Sequence, residues 1–202
     1  MLKGLLMKKI SLNKLLLLCF IILCIESAHA ENPRKDDFEN ITSLFQIRNL
    51  QNGIAINLQR SGDLNTQNWI LRQFDLNAHL ITHDKLRDRW SFGYVQFVRP
   101  DNLLMCLAIG EDGFLTTKSC LQDLQSEKLE TVFSLIPVGN GAVQIRSLVL
   151  NSDECLSAFE NPNIPIEKRF GITPCTLDFF LIIDPSELFF FTPALTKARP
   201  LQ

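Results

Sequence analysis

The sequence predicts an all-β protein closed from three copies of one unit. Three observations carry that expectation. Short stretches alternate apolar and polar residues between polar turns, almost no segment shows helical periodicity, and one hairpin design recurs along the chain. The clearest copy runs from Tyr94 to Cys120, reading YVQFVRPDNLLMCLAIGEDGFLTTKSC, and a looser version returns from Val143 to Cys175. Ile47-Arg-Asn-Leu50, Phe97-Val98 with Arg99, and Ile145-Arg-Ser-Leu148 each begin a unit. Ile54 to Leu58, Cys106 to Ile109 and Cys155 to Phe159 fill its second strand, and Trp69, Phe133 and Phe179 or Phe180 end it. The period is about 45–50 residues, and a threefold repeat of short strands selects a β-trefoil over a generic sandwich.

Residues 1–30 stand outside this pattern. Lys3, Lys8, Lys9 and Lys14 precede LLLLCFIILCI, and the segment ends Ala28-His29-Ala30. A basic start, a short apolar stretch and a small-x-small end predict a signal peptide cleaved after Ala30 and a secreted product. An uncleaved amino-terminal anchor is the alternative, although the apolar run is short for a membrane span. Four of the 20 basic residues and one of the 22 acidic ones lie in this leader, so the formal charge moves from −2 to −5 on cleavage. A mildly acidic chain argues against nucleic-acid binding. Two of the six cysteines also leave with it, and Cys106, Cys120, Cys155 and Cys175 remain. An even number in an exported chain predicts two disulfides. Three pairings are allowed, and sequence neighbours are the natural choice.

Residues 31–43 begin ENPRKDDFEN, polar and charged. They read either as a disordered leader to the domain or as an arm that orders on a partner, with Phe38 as anchor. The domain itself is expected over 44–183. Phe45 to Leu50, the Gln51-Asn-Gly53 turn and Ile54 to Leu58 form a first hairpin, and Gln67 to Leu71 a short strand. Asn77 to Arg89 reads as a loop with one or two helical turns, and Gln122 to Lys128 as a charged connector. Thr131 to Ile136, Val143 to Leu148 and Cys155 to Phe159 supply further strands. Trp90, Phe92 and Tyr94 alternate and should share an inward face. The remaining 184–202 forms a tail whose Phe189, Phe190 and Phe191 either cap the domain or pack against a partner.

Catalytic chemistry finds little support. Once the leader is removed only His79 and His83 remain, in the order HLITH, with no Glu between them and no acidic ligand placed by the sequence, so neither a metal nor another cofactor is expected. No nucleophile elbow, phosphate loop or Cys-His arrangement is present, and the cysteines are better used as disulfides.

Gln67-Asn68-Trp69 matches the Gln-x-Trp box of ricin B-type lectin repeats. YVQFVRPDNLLMCLAIGEDGF, LETVFSLIPV, AVQIRSLVLNSDECLSAF and NPNIPIEKRFGITPCTLD resemble the C subunits of cytolethal distending toxins of the Campylobacter and Helicobacter type, over nearly the whole mature chain. The resemblance implies a ricin B-type lectin-like trefoil without catalysis of its own. It implies partners as well, in a heterotrimer: a ricin-like A subunit, which attaches to host cells together with the C subunit, and a nuclease-like B subunit, which the pair delivers. The arm would reach the B subunit through Arg34, Lys35, Asp36, Asp37 and Phe38, and the tail aromatics would face the A subunit.

The lectin-like resemblance does not extend to a complete sugar pocket. Gln67 lacks an early Asp in its unit. Asp101 and Asp112 stand in a unit where Thr131-Val-Phe133 replaces the box, and the third unit has Asp153 and Glu154 but ends Thr176-Leu-Asp178. Gln67 therefore reads as a hydrogen-bonding residue and Trp69 as core. A sterol motif around Tyr94 fails in the forward direction, and its reversed form, Arg89-x-x-Phe92-x-x-Val95, is a weak pattern. The runner-up is a freestanding β-trefoil carbohydrate-binding module. A trefoil protease inhibitor is a poorer third, because no exposed inhibitory loop can be identified.

Overall fold

The computed structural model describes residues 42–58, 64–89, 93–139, 141–149, 153–161, 163–165, 168–178 and 182–195. The predicted signal peptide and the arm residues Arg34, Lys35, Asp36, Asp37 and Phe38 lie outside them, as do Trp90, Phe92, Phe179 and Phe180. The elements follow in order as β1 (Phe45–Asn49), β2 (Asn68–Phe74), β3 (Tyr94–Arg99), β4 (Asn102–Ile109), β5 (Leu115–Ser119), α1 (Cys120–Gln125), β6 (Phe133–Pro137), β7 (Val143–Ser147), β8 (Glu154–Ala158), β9 (Phe170–Pro174) and β10 (Phe189–Pro193).

Six of the strands close a ring. β1 pairs with β2, β2 with β3, β3 with β6, β6 with β7, β7 with β10 and β10 with β1, every pair antiparallel. Closure leaves the barrel no free edge for another chain to extend. The hairpins β4–β5 and β8–β9 attach to β3 and β7. They touch each other where Phe114 bridges Gly171 and Ile172 N–H donates to the Gly113 carbonyl at 3.1 Å. A Cβ on Gly171 would lie 2.7 Å from both that carbonyl oxygen and the Phe159 ring, so this approach requires glycine.

The core sits inside the barrel and under the hairpins. Ile47, Phe97 and Ile145 from β1, β3 and β7 meet Trp69, Phe133 and Phe189 from β2, β6 and β10, all six essentially buried. Hairpins covering the outer face explain why β3 and β7 are buried on alternate sides as well. Each disulfide fastens one hairpin. Cys106 pairs with Cys120 and Cys155 with Cys175, at Cα separations of 5.2 and 4.8 Å and chain separations of 14 and 20 residues.

Three local expectations need correction. Ile54 to Leu58 is not a strand; only Ala55 bridges back, to Arg48, because Arg48 Nη1 takes the Gly53 carbonyl at 2.7 Å and holds the turn close. The connector after Cys120 begins as helix α1, capped by Ser119 Oγ, which accepts the Gln122 N–H. Most consequentially, the chain beyond 183 is not an appended tail. β10 pairs with β1 along its whole length and touches β7, so the barrel closes only with Phe189–Pro193 in place. Asn49 Nδ2 reinforces this closure by donating to the carbonyls of Ser186 and Leu188 at 2.7 and 3.1 Å.

An ionic clamp holds the long connection between β2 and β3. Its 3-10 turn, Leu80–His83, is followed by Asp84, whose carboxylate receives Arg146 Nη1 and Nη2, each at 2.8 Å, the Tyr94 hydroxyl at 3.0 Å and the Leu86 N–H at 2.9 Å. Asp84, Tyr94 and Arg146 are all buried. Burial raises the Asp84 pKa, but the hydrogen bonds and charge of Arg146, with help from Leu86 and Tyr94, outweigh it and hold the carboxyl below its usual range. Burial, with the Asp84 charge second, pushes the Tyr94 hydroxyl up to about 12.

Candidate interaction surface

Successive residues of β10 point in opposite directions, so Phe189 and Phe191 share the inner face, Phe191 nearer the barrel end, and Phe190 takes the other face. Phe189 is fully buried and Phe190 half-buried, while Phe191 remains 38 % exposed. Phe189 is therefore a core residue rather than a surface contact. Phe191 packs edge-on against Phe45 at 5.1 Å between ring centroids and lies 6.3 Å from Phe97, so it finishes the core at the end of the barrel where β1 starts. Leu44 and Leu195, just before β1 and just after β10, are also exposed. The chain reaches this end through Thr42, whose N–H donates to the Leu71 carbonyl at 3.1 Å and whose Oγ1 accepts the Leu71 N–H at 3.0 Å. An apolar edge thus lies beside Thr42, the first of the described residues.

The Gln-x-Trp box proves to be internal. Trp69 is buried and its indole N–H donates to the Ile56 carbonyl at 3.3 Å, while half-buried Gln67 accepts Gln46 Nε2 through Oε1 at 3.4 Å. Two further pairs repeat this design. Gln96 Nε2 donates to Thr131 Oγ1 at 2.8 Å, and Gln144 Nε2 to Glu187 Oε2 at 3.1 Å. Two residues after each acceptor stands the buried aromatic: Trp69, Phe133 or Phe189. In the third pair the acceptor and aromatic belong to Glu187-Leu188-Phe189, and Thr176-Leu-Asp178 supplies neither. Thr176 instead donates through its N–H to Glu187 at 3.1 Å. Sequence reasoning missed the three glutamines although a signal was present, since each precedes an apolar residue and an Arg in QIR, QFVR and QIR.

The acids that resembled lectin fragments are engaged locally. Arg99 Nε donates to Asp101 at 2.8 Å, and its second nitrogen completes a fork that lowers the Asp101 pKa. Lys168 donates to Asp112 at 2.9 Å, which lowers that carboxyl too, and lies 5.0 Å from the Phe114 ring centroid. Asp112, Phe114, Lys168 and Arg99 line an open cleft of about 380 Å³. For metal ligands, the fold changes the supply that the sequence offered: His79 Nε2 lies 3.1 Å from Glu127 Oε2, with His83 alongside.

Comparison with known proteins matches this arrangement. The chain is 29% identical over 199 residues to the C subunit of the cytolethal distending toxin of Escherichia coli, covering 95% of this chain and 98% of that protein. It shares its fold with a chain in the crystal structure of the Haemophilus ducreyi cytolethal distending toxin, at a TM-score of 0.58 and 19% identity over 79% of this chain and 91% of that one. The corresponding toxin of Actinobacillus actinomycetemcomitans gives 0.57 and 21% over the same shares. Residues 44–200, which include all ten strands, match the model of the cytolethal distending toxin A/C domain, and the chain belongs to that family.

Proposed function

We propose that this chain is the non-catalytic C subunit of a secreted three-part genotoxin, attaching to the host cell surface together with the A subunit and helping to deliver the nuclease-like B subunit. The observation that carries the reading is the end-to-end similarity to a C subunit of such a toxin, spanning 98% of that relative. The leader over 1–30 supports export and a mature start at Glu31. The barrel reads as a β-trefoil of three units, β1–β2, β3–β6 and β7–β10. The repeated glutamine donor, acceptor and buried aromatic support it.

In this reading the apolar edge at Phe191, Leu44 and Leu195 faces the A subunit, and the arm over 31–43 engages the B subunit. The buried polar residues hold the fold, which leaves surface complementarity as the chain's means of action. A freestanding carbohydrate-binding module is less well supported, because Gln67 is turned to Gln46 and Asp112 to Lys168. Glycan binding by the isolated chain, lost on Gln67→Ala, would favour it instead.

The test is reconstitution from the three purified proteins, followed by size-exclusion chromatography with light scattering. One complex with a single copy of each is expected. Phe191→Asp should weaken the affinity for the A subunit more than about tenfold, as expected for an aromatic anchor. Removal of residues 31–43 should release the B subunit while retaining A. A chain that stays monomeric with both partners contradicts the reading.

A further inference from the structure

We propose that His79, His83 and Glu127 form a surface site for a divalent transition-metal ion of the zinc class. The His79 and Glu127 donors are 3.1 Å apart, and one donor atom from each of the three residues falls within 4.8 Å of the others. Donors around a tetrahedral zinc ion stand about 3.4 Å apart, given metal–ligand distances of about 2.0–2.2 Å. Exposed side chains need move only slightly to reach that geometry, and all three residues are exposed.

The scaffold beneath them is fixed. Asn77 Oδ1 accepts the N–H groups of His79 and Leu80 at 3.1 and 2.8 Å, and Thr82 Oγ1 donates to the His79 carbonyl at 2.6 Å. Asp84, immediately after His83, is locked by Arg146. Leu80, between the two histidines, is buried with Leu129 and Val132, and this packing carries the segment after α1 up to the histidine turn. Ligands held by such a framework lose little freedom on binding.

Glu127, like Leu129 two residues on, has a left-handed backbone. It lies just past the end of α1 with φ +58°, a left-handed conformation that normally favours Gly or Asn at a helix end. Glycine there would relieve the backbone but remove the carboxylate. Two imidazoles and one carboxylate suit zinc or its neighbours and are a poor set for calcium or magnesium, which require oxygen ligands. The remaining coordination position faces solvent and takes water.

The experiment is calorimetric titration of the tag-free, metal-stripped protein with Zn²⁺ and, in parallel, with Ca²⁺. One zinc per chain at micromolar affinity or tighter is expected, with no calcium uptake. Co²⁺ in place of zinc should give the visible absorption of a four-coordinate ion. Glu127→Gln and His83→Ala should each weaken zinc by more than about tenfold. The His79→Ala/His83→Ala pair should abolish binding and also the zinc-induced rise in unfolding temperature. Near-ultraviolet circular dichroism checks that the variants are folded. Absence of zinc uptake, or unchanged affinity in the folded double variant, overturns the site.

Discussion

Asp84 shows how a single residue can have a large structural role that its sequence context conceals. In HDKLRDR it reads as one more charge in a solvated connector, yet its partner Arg146 lies 62 residues away on β7 and both side chains are fully buried. Removing the charge strands the guanidinium in the interior. Asp84→Asn should therefore cost about 3–5 kcal/mol, and the Asp84→Leu/Arg146→Met pair should cost less than the single change, both read by urea unfolding. The pH dependence follows from the lowered Asp84 pKa. The clamp contributes its full stability above the unfolded carboxyl value of about 3.9 and loses it as pH falls through the lower folded value. The urea midpoint should decline below about pH 4, and the part due to this carboxyl should be absent in Asp84→Asn. His79 and His83 carry a related lesson: their spacing was visible, but Glu127 reaches them only through tertiary packing.

Among the elements, the interior strands were legible because alternation and turn residues mark them directly. The closing strand was not. Phe179 and Phe180 read as the end of the third unit; among the described residues the buried aromatic two positions after the partner of Gln144 is Phe189. The stretch over 184–202 read as a tail, yet Asp184 caps a turn, Pro185–Glu187, that feeds β10 into the barrel. A stop after Asp184 removes β10, uncovers β1 and β7, and should yield insoluble or protease-sensitive protein. Recovery of a cooperative folded chain would show that β10 is dispensable. The disulfides were legible from cysteine count and spacing. Cys106→Ser/Cys120→Ser and Cys155→Ser/Cys175→Ser should each lower stability by about 3 kcal/mol in urea unfolding of the oxidised protein, since each removes a closed loop of modest size.

At the scale of the whole molecule, ring closure leaves the six barrel strands no edge for a partner to extend, which favours association through side chains and flanking segments at the barrel ends. The exposed apolar residues at one barrel end and the chain leading into β1 provide both. The all-β class followed from the alternating pattern, and the family resemblance from long stretches of sequence. The position of the working surface did not follow, because how near each phenylalanine of β10 lies to the open end of the barrel depends on strand register. The most direct measurement of the proposed role is the DNA-damage response of cultured host cells to the purified A and B proteins of the toxin, with and without this chain. The complete set should produce damage, A with B alone should produce far less, and this chain alone none. Equal damage without it, or damage from it alone, would contradict a non-catalytic delivery role.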